Sequence, residues 1–311
     1  MKIATLDVGT NTVLMLIAER DPSGAVHTIA DLARITRLGR GVDSSGRLDP
    51  ESAAQTLAAI TEFVQKARAL SVDKIVAVGT AALRDVKDGA DFIAQVKARA
   101  GVDLELISGQ TEAELSYLAV MRGLKLDPVA KVLIVDIGGG STELIRAEPG
   151  RKLDLVSLQL GSVRLSERLV HSDPPTAREA AELRITVDEA LQQLGWVFAP
   201  DVMVAIAGTV TTICAVALGL ATYDRKIVHG HLLSHADVIA AIVKFGSLPL
   251  AERKRLPGLE AGRADVIFAG AAILERIMGH FHLNEVVVSD QGVRWGLLWR
   301  TLDQSSSSSA N

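Results

Sequence analysis

The 311-residue chain has one cysteine, Cys214. A single thiol excludes an internal disulfide framework and a zinc site built from several cysteines. Its setting in an apolar stretch marks it as a core residue. The composition fits a reducing compartment, and a cytoplasmic location is the expectation. The chain also lacks a charge excess. Its 33 Lys and Arg against 37 Asp and Glu give a net charge of −4. It therefore has no overall attraction to nucleic acid or to an anionic membrane, and neither partner is expected. A polyanionic substrate would need local basic groups or a metal ion to hold it. There is no signal peptide, because Asp7 cuts short the apolar run of MKIATLDVGT. One uncharged run, Val202 to Thr222, approaches the ~20 residues of a spanning helix. Its β-branched first half and alanine-rich second half, joined at Gly208 and Thr209, read as a strand, a turn and a packed helix instead.

Two common phosphate-binding signatures are missing as well. No G-x-x-x-x-G-K-[ST] occurs; GVDSSGR at 41–47 lacks the Lys-Ser/Thr end. No G-x-G-x-x-G follows a strand, which argues against a dinucleotide site. His229, His231 and His235 lack the spacing of a metal site. With Ser234 as a helix N-cap, His231 and His235 would not share a helix face.

What the sequence does contain is a repeat. Residues 5–19 read TLDVGTNTVLMLIAE and residues 134–148 read IVDIGGGSTELIRAE, in register at Asp7 and Asp136, 129 residues apart (136 − 7). Gly9 falls on Gly138, Thr12 on Ser141 and Glu19 on Glu148. Each copy opens a succession of strands and then alternates helix with strand, a duplicated α/β pattern. Hydrophobic residues at 48% and charged residues at 23% are enough for a sizeable core. Asp49-Pro50-Glu51 starts a helix with Leu57, Ile60 and Val64 on its apolar face. The serine-rich tail from Gln304 is expected to be disordered.

A strand ending in Asp, a turn of Gly and hydroxyl residues, and a returning strand make a phosphate-gripping hairpin. Glycine lets the backbone approach oxygen anions closely and aim N–H groups at them. Gly9, Thr10, Asn11 and Thr12 form the first turn; Gly138, Gly139, Gly140 and Ser141 form the second. A tight hairpin without ligand is the plain alternative for either alone. The strand-end Asp can hold Mg²⁺ that bridges phosphate oxygens. Asp136 matches Asp7, but Glu143 matches Leu14, and a structural repeat does not require that added carboxylate. Asp136 and Glu143 are therefore the candidate metal-side pair. An exposed strand position is the plain alternative for Glu143.

The motifs DVGTNT, TAALRD (80–85), ISGQTEAELSYLAV, VDIGGGSTEL, AGTVTT, GRADVIFAG and VSDQGVRWG occur in an order similar to that of the exopolyphosphatase/guanosine pentaphosphate phosphohydrolase family. The resemblance runs from residue 3 to about 299, to the short two-domain members. It implies two ribonuclease-H-like, actin-like domains, residues 1–124 with 296–311 and residues 125–295, with an active-site cleft between them and the last helix returning to the first domain. It implies that Glu112 is the catalytic base. On the residues alone, Glu112 is equally an acidic residue favouring a helix N-terminus. Glu114, on another helix face, is the decoy. The resemblance gives Arg84 the charge of the transferred phosphoryl group, and gives Gly208 and Thr209, with Thr212, distal phosphates or a nucleotide. A surface arginine and a strand-to-helix junction are the plain alternatives. Arg34, Arg37, Arg40 and Lys87 could line a route for a long anion, against the default of a solvated face. Leu14 stands where many members have Arg, Trp295 where they have Glu, and Asp88 where they have Asn.

The implied activity is Mg²⁺-dependent release of terminal orthophosphate from inorganic polyphosphate, with domain closure around the chain. Hydrolysis of pppGpp to ppGpp, a small-molecule kinase, and a non-catalytic sensor of (p)ppGpp or polyphosphate are the alternatives. A homodimer is left open.

Overall fold

A computed structural model of the protein describes residues 1–84 and 86–308. Asp85, which ends the TAALRD stretch, and the last three residues of the serine-rich tail lie outside it. The chain divides into two compact units. One comprises Met1–Ala119 and the chain from Gly292 onward; the other is Val120–Gln291.

Unit 1 is built on β1 (Lys2–Val8), β2 (Thr12–Arg20) and β3 (Val26–Ile35), then α1 (Val42–Ser45), α2 (Pro50–Ala69), β4 (Lys74–Gly79), α3 (Ala81–Arg84), α4 (Gly89–Ala100), β5 (Leu104–Leu106) and most of α5 (Gly109–Leu124). The sheet order is β3-β2-β1-β4-β5. β1 is buried on both faces along almost its whole length, the pattern of a central strand covered on both sides. It pairs antiparallel with β2 and parallel with β4. The sequence starts α2 as expected. The Asp49 side chain accepts from the Ser52 N–H at 2.9 Å, and Pro50 occupies the first turn. Leu57, Ile60, Phe63 and Val64 of α2 then pack with Leu6, Val13, Met15 and Ile17.

Unit 2 repeats the plan with β6 (Val132–Ile137), β7 (Thr142–Ala147), β8 (Asp154–Leu158), α6 (Ser162–Leu169), α7 (Ala177–Gln192), β9 (Val202–Ile206), α8 (Ala207–Ala217), α9 (Arg225–Val228), β10 (Leu232–Ser234), α10 (His235–Ser247), α11 (Leu250–Arg253), α12 (Ile267–His280) and β11 (Glu285–Val288). Its order is β10-β11-β9-β6-β7-β8. Read from β8, the strands β8-β7-β6-β9-β11 match β3-β2-β1-β4-β5, so both sheets have the ribonuclease-H-like, actin-like arrangement. The three-residue antiparallel edge strand β10 is an addition that no sequence signal announced. Its last residue, Ser234, does cap α10, in a reciprocal capping box with Asp237. The core of unit 2 gathers Leu133, Val135 and Ile137 of β6 with α7, α8, α10 and α12. Cys214 lies fully buried there, and burial, with the nearby Asp237, pushes its thiol up to about 11.

The uncharged run 202–222 is divided between β9 and α8, as its composition implied. Among the described residues no helix is long and apolar enough to cross a membrane. The last helix, α13 (Val293–Ser308), packs on unit 1, where Trp295, Leu298 and Leu302 meet Ile3, Leu16 and Ala18. Trp295 is thus a core residue. The tail differs from expectation: α13 continues through Ser308. Packing of its first turns nucleates the helix, which propagates into low-complexity sequence; the Ser305 hydroxyl donates to the Thr301 carbonyl at 2.9 Å.

Candidate functional site

The two turns close in the same way. The Gly9 amide donates to the Thr12 carbonyl at 3.1 Å, and the Gly138 amide to the Ser141 carbonyl at 3.0 Å. In each, the turn's own carbonyls are tied back by a later segment. Thr36 and Arg37 donate amides to the Asn11 oxygen, and Gly39 donates to the Thr10 oxygen. In unit 2 the amides of Ser162, Val163 and Arg164 reach the oxygens of Gly138 and Gly139, and Arg164 Nε donates to the Gly140 oxygen at 2.6 Å. The fit is close. A Cβ on Gly161 would lie 2.1 Å from the Gly139 oxygen, and one on Gly39 would lie 2.2 Å from Thr10 Cγ2. Among the described residues the amides of Thr10, Asn11, Gly139 and Gly140 donate to no protein acceptor. Carbonyls already bonded and amides without a protein acceptor suit such turns to anions.

Carboxylates stand at the strand ends beside both turns. Asp7 closes β1, is buried, and its Oδ1 has no hydrogen-bond partner. Burial raises its pKa from 3.8 to about 6, against a smaller pull downward from Arg294. Arg294 is itself held by two 3.0 Å hydrogen bonds to Asp31. An orphaned, buried carboxylate oxygen is suited to a cation. In unit 2, Asp136 and Glu143 are directly opposed on β6 and β7. Glu143 is buried and accepts a 2.8 Å hydrogen bond from Ser157 Oγ. These are hard oxygen donors. Among the described residues no three His, Cys, Asp or Glu converge to hold a metal ion. A divalent cation bound at Asp7 or at the Asp136–Glu143 pair would complete its shell with phosphate and water oxygens, as Mg²⁺ does.

Glu112 lies in the first turn of α5, which Ser108 opens by accepting the Thr111 amide at its hydroxyl. Arg84, at the end of α3, donates from Nη1 to Glu112 Oε2 at 2.9 Å and to the Ile107 carbonyl at 2.9 Å. Both side chains are largely buried. The sequence put these two residues in separate roles; the structure joins them as an ion pair. The guanidinium favours the charged carboxylate, the form that accepts a proton. Glu114 is exposed and bonded to Gln110.

At the third turn the hydroxyls are engaged within the protein. Thr209 donates to the Ile137 carbonyl at 3.0 Å and Thr212 to the Gly208 carbonyl at 2.6 Å. What the sequence reading missed is Arg263, within GRADVIFAG. Its guanidinium packs so closely on Gly208 that a Cβ there would meet it at 2.3 Å. Burial lowers the Arg263 pKa, with Glu260 and Tyr223 acting the other way. Only the absence of a side chain at Gly208 permits this approach, and a glycine so placed was the available signal. Of the basic residues considered as an anion route, Arg34 is committed elsewhere, with bidentate bonds of 2.8 and 2.9 Å to Glu62.

Comparison with known proteins agrees with this fold. The model of the Ppx/GppA phosphatase family matches residues 16–305. Exopolyphosphatase 2 of Mycobacterium tuberculosis is 32% identical over 311 residues, covering 95% of this chain and 97% of its own. A crystal structure of the Aquifex aeolicus Ppx/GppA family member superposes with a TM-score of 0.83 at 31% identity, covering 98% of each chain. An exopolyphosphatase from Cytophaga hutchinsonii, 24% identical with 98% of each chain covered, shares the fold at a TM-score of 0.89. The chain belongs to the Ppx/GppA phosphatase family.

Proposed function

We propose that the protein is a Mg²⁺-dependent exopolyphosphatase that hydrolyses the terminal phosphoanhydride of inorganic polyphosphate and releases orthophosphate. The observation that carries this reading is the matched pair of turns, each with carbonyls tied back and two amides that meet no protein acceptor among the described residues. A repeating polyanion offers the same phosphate group to each turn. Its near-complete coverage of, and similarity to, a named exopolyphosphatase supports the substrate class.

The amides of Thr10, Asn11, Gly139 and Gly140 bind and orient phosphate oxygens. Asp136 and Glu143 would hold Mg²⁺, which when bound offsets charge on the phosphates. Glu112 takes the proton of a water aligned with the terminal phosphorus. Arg84 fixes the Glu112 carboxylate and supplies positive charge at the phosphoryl group. Phosphoryl transfer asks mainly for positioning and charge stabilisation, which these groups provide.

Engagement of Thr209 and Thr212 by protein carbonyls argues against their hydroxyls donating to a nucleotide or to distal phosphates, so substrate tests must separate polyphosphate from pppGpp. The test is phosphate release from short polyphosphate, long polyphosphate and pppGpp, with and without Mg²⁺ and with no acceptor present. Release from polyphosphate only with Mg²⁺ is expected. No release from either polyphosphate would refute the proposal. Faster turnover of pppGpp would move the assignment to a guanosine pentaphosphate hydrolase. Formation of ADP from ATP only with an added acceptor would indicate a kinase.

A further inference from the structure

Three polar side chains form one line across the second sheet. Asp136 on β6 is opposed to Glu143 on β7, and Glu143 is opposed to Ser157 on β8. Directly opposed residues share a face of the sheet. The Ser157 hydroxyl donates to Glu143 Oε1 at 2.8 Å. The matching line in unit 1 is Asp7, Leu14 and Ala33. The hydroxyl is therefore present where the second carboxylate is present, and both are missing together.

β8 is the edge of its sheet, and Ser157 is exposed on it. Water would satisfy an exposed serine hydroxyl, so the bond does little for Ser157 itself. Glu143 is the residue that gains. It is only 7% exposed, and a buried carboxylate needs hydrogen-bond donors to offset lost hydration. A glutamate side chain also has several rotatable bonds, and a fixed donor on one oxygen removes part of that freedom. The register of β7 with β8 is set by backbone pairing and does not depend on the hydroxyl.

We propose that Ser157 is a positioning residue of the hydrolytic site: it holds the Glu143 carboxylate in line with Asp136, so that the pair meets a divalent cation as one preset group. Ser157 touches neither cation nor substrate. This assignment rests on the function proposed above.

The test uses the full chain carrying Ser157→Ala, Ser157→Thr or Ser157→Val, the last two being nearly equal in shape and differing in the hydroxyl. Binding of Mn²⁺, alone and with inorganic phosphate, is read from the electron paramagnetic resonance of the free ion. The Mg²⁺ dependence of phosphate release and thermal melting are measured beside it. Loss of an outer partner weakens metal binding by about 10–100-fold. Ser157→Ala and Ser157→Val are expected to weaken Mn²⁺ binding about tenfold at that scale, to raise the Mg²⁺ needed for half-maximal rate in parallel, and to lower the melting temperature slightly because buried Glu143 loses a donor. Ser157→Thr is expected to bind as wild type. Wild-type Mn²⁺ binding by Ser157→Val, equal weakening in Ser157→Thr, or a lowered melting temperature without a change in metal binding would each overturn the assignment while leaving the hydrolase intact. If the wild-type protein binds no Mn²⁺ in either condition, the metal reading fails and this assignment fails with it.

Discussion

Behind the first turn the cross-strand line reads Asp7, Leu14, Ala33; behind the second it reads Asp136, Glu143, Ser157. The order of the five shared strands and the turn closure are the same in both units, while the tied-back carbonyls are those of Thr10 and Asn11 in one and of Gly138, Gly139 and Gly140 in the other. The neighbours of the strand-end aspartate differ. In unit 1 the aspartate stands beside apolar residues, and its Oδ1 has no partner. In unit 2 the second carboxylate is buried but hydrogen-bonded. The two units carry turns of the same form, and differences at two strand positions make their polar surroundings unequal. The lesson is that a repeat preserves backbone chemistry more readily than side-chain chemistry, because the backbone bonds that shape the turn tolerate many side chains.

The largest effect is expected at Glu112, on the unit 1 side. Glu112→Gln should lower the rate of phosphate release by about 10²–10⁴-fold while leaving the circular dichroism spectrum unchanged. A rate within a few-fold of wild type would return Glu112 to a helix-capping role. Arg84→Ala comes next, at about 10²–10³-fold in kcat if the guanidinium stabilises charge in the transition state. An effect confined to KM would mean that it only binds substrate.

Asp7 offers the sharpest contrast between the units in stability. The folded protein holds the Asp7 proton more tightly than the unfolded chain, since its pKa is raised to about 6 from 3.8. Below pH 4 both states carry the proton and the residue costs nothing. As pH rises from about 4 to 6 the native state loses stability from this group, and above 6 the loss is complete, about 3 kcal/mol. Asp7→Asn should therefore stabilise the protein by up to that amount at pH 7.5 and not at pH 4, in urea unfolding, while reducing Mg²⁺-dependent activity. Equal stability of the variant and wild type at both pH values would contradict the account of Asp7.

Leu14→Glu would give unit 1 the second carboxylate it lacks. Without divalent ion it should destabilise by about 1–3 kcal/mol, because a second negative charge is set beside Asp7 with no Ser157 equivalent. Added Mg²⁺ should recover part of the loss in melting temperature. The smallest effect is expected at Glu114, where Gln should change stability by less than about 0.5 kcal/mol and leave phosphate release unchanged.

Much of this was legible in the sequence. The two turns, the strands leading into them and the α2 start are local features, written in Gly, hydroxyl residues, alternation and an Asp-Pro cap. The division of 202–222 into strand and helix could be read from its change in composition. The rest depended on residues distant in the chain. The Arg84–Glu112 pair spans 28 residues, and Arg263 over Gly208 spans 55 (263 − 208). β10 is three residues long and exists because β11 offers it an edge. Ser157 looks like any polar residue on a strand until register places it opposite Glu143. The helical serine tail shows the converse, with low-complexity sequence extending a helix begun by packed residues.

The tied-back carbonyls have one more consequence. A peptide unit whose oxygen is already fastened to a neighbouring segment resists rotation, so the turns at Gly9 and Gly138 keep one polarity. They can greet an anion but cannot swing an oxygen round to chelate a cation. Any ion that enters must therefore find its ligands on side chains or arrive with its phosphate, and discrimination between the two kinds of charge is fixed before anything binds.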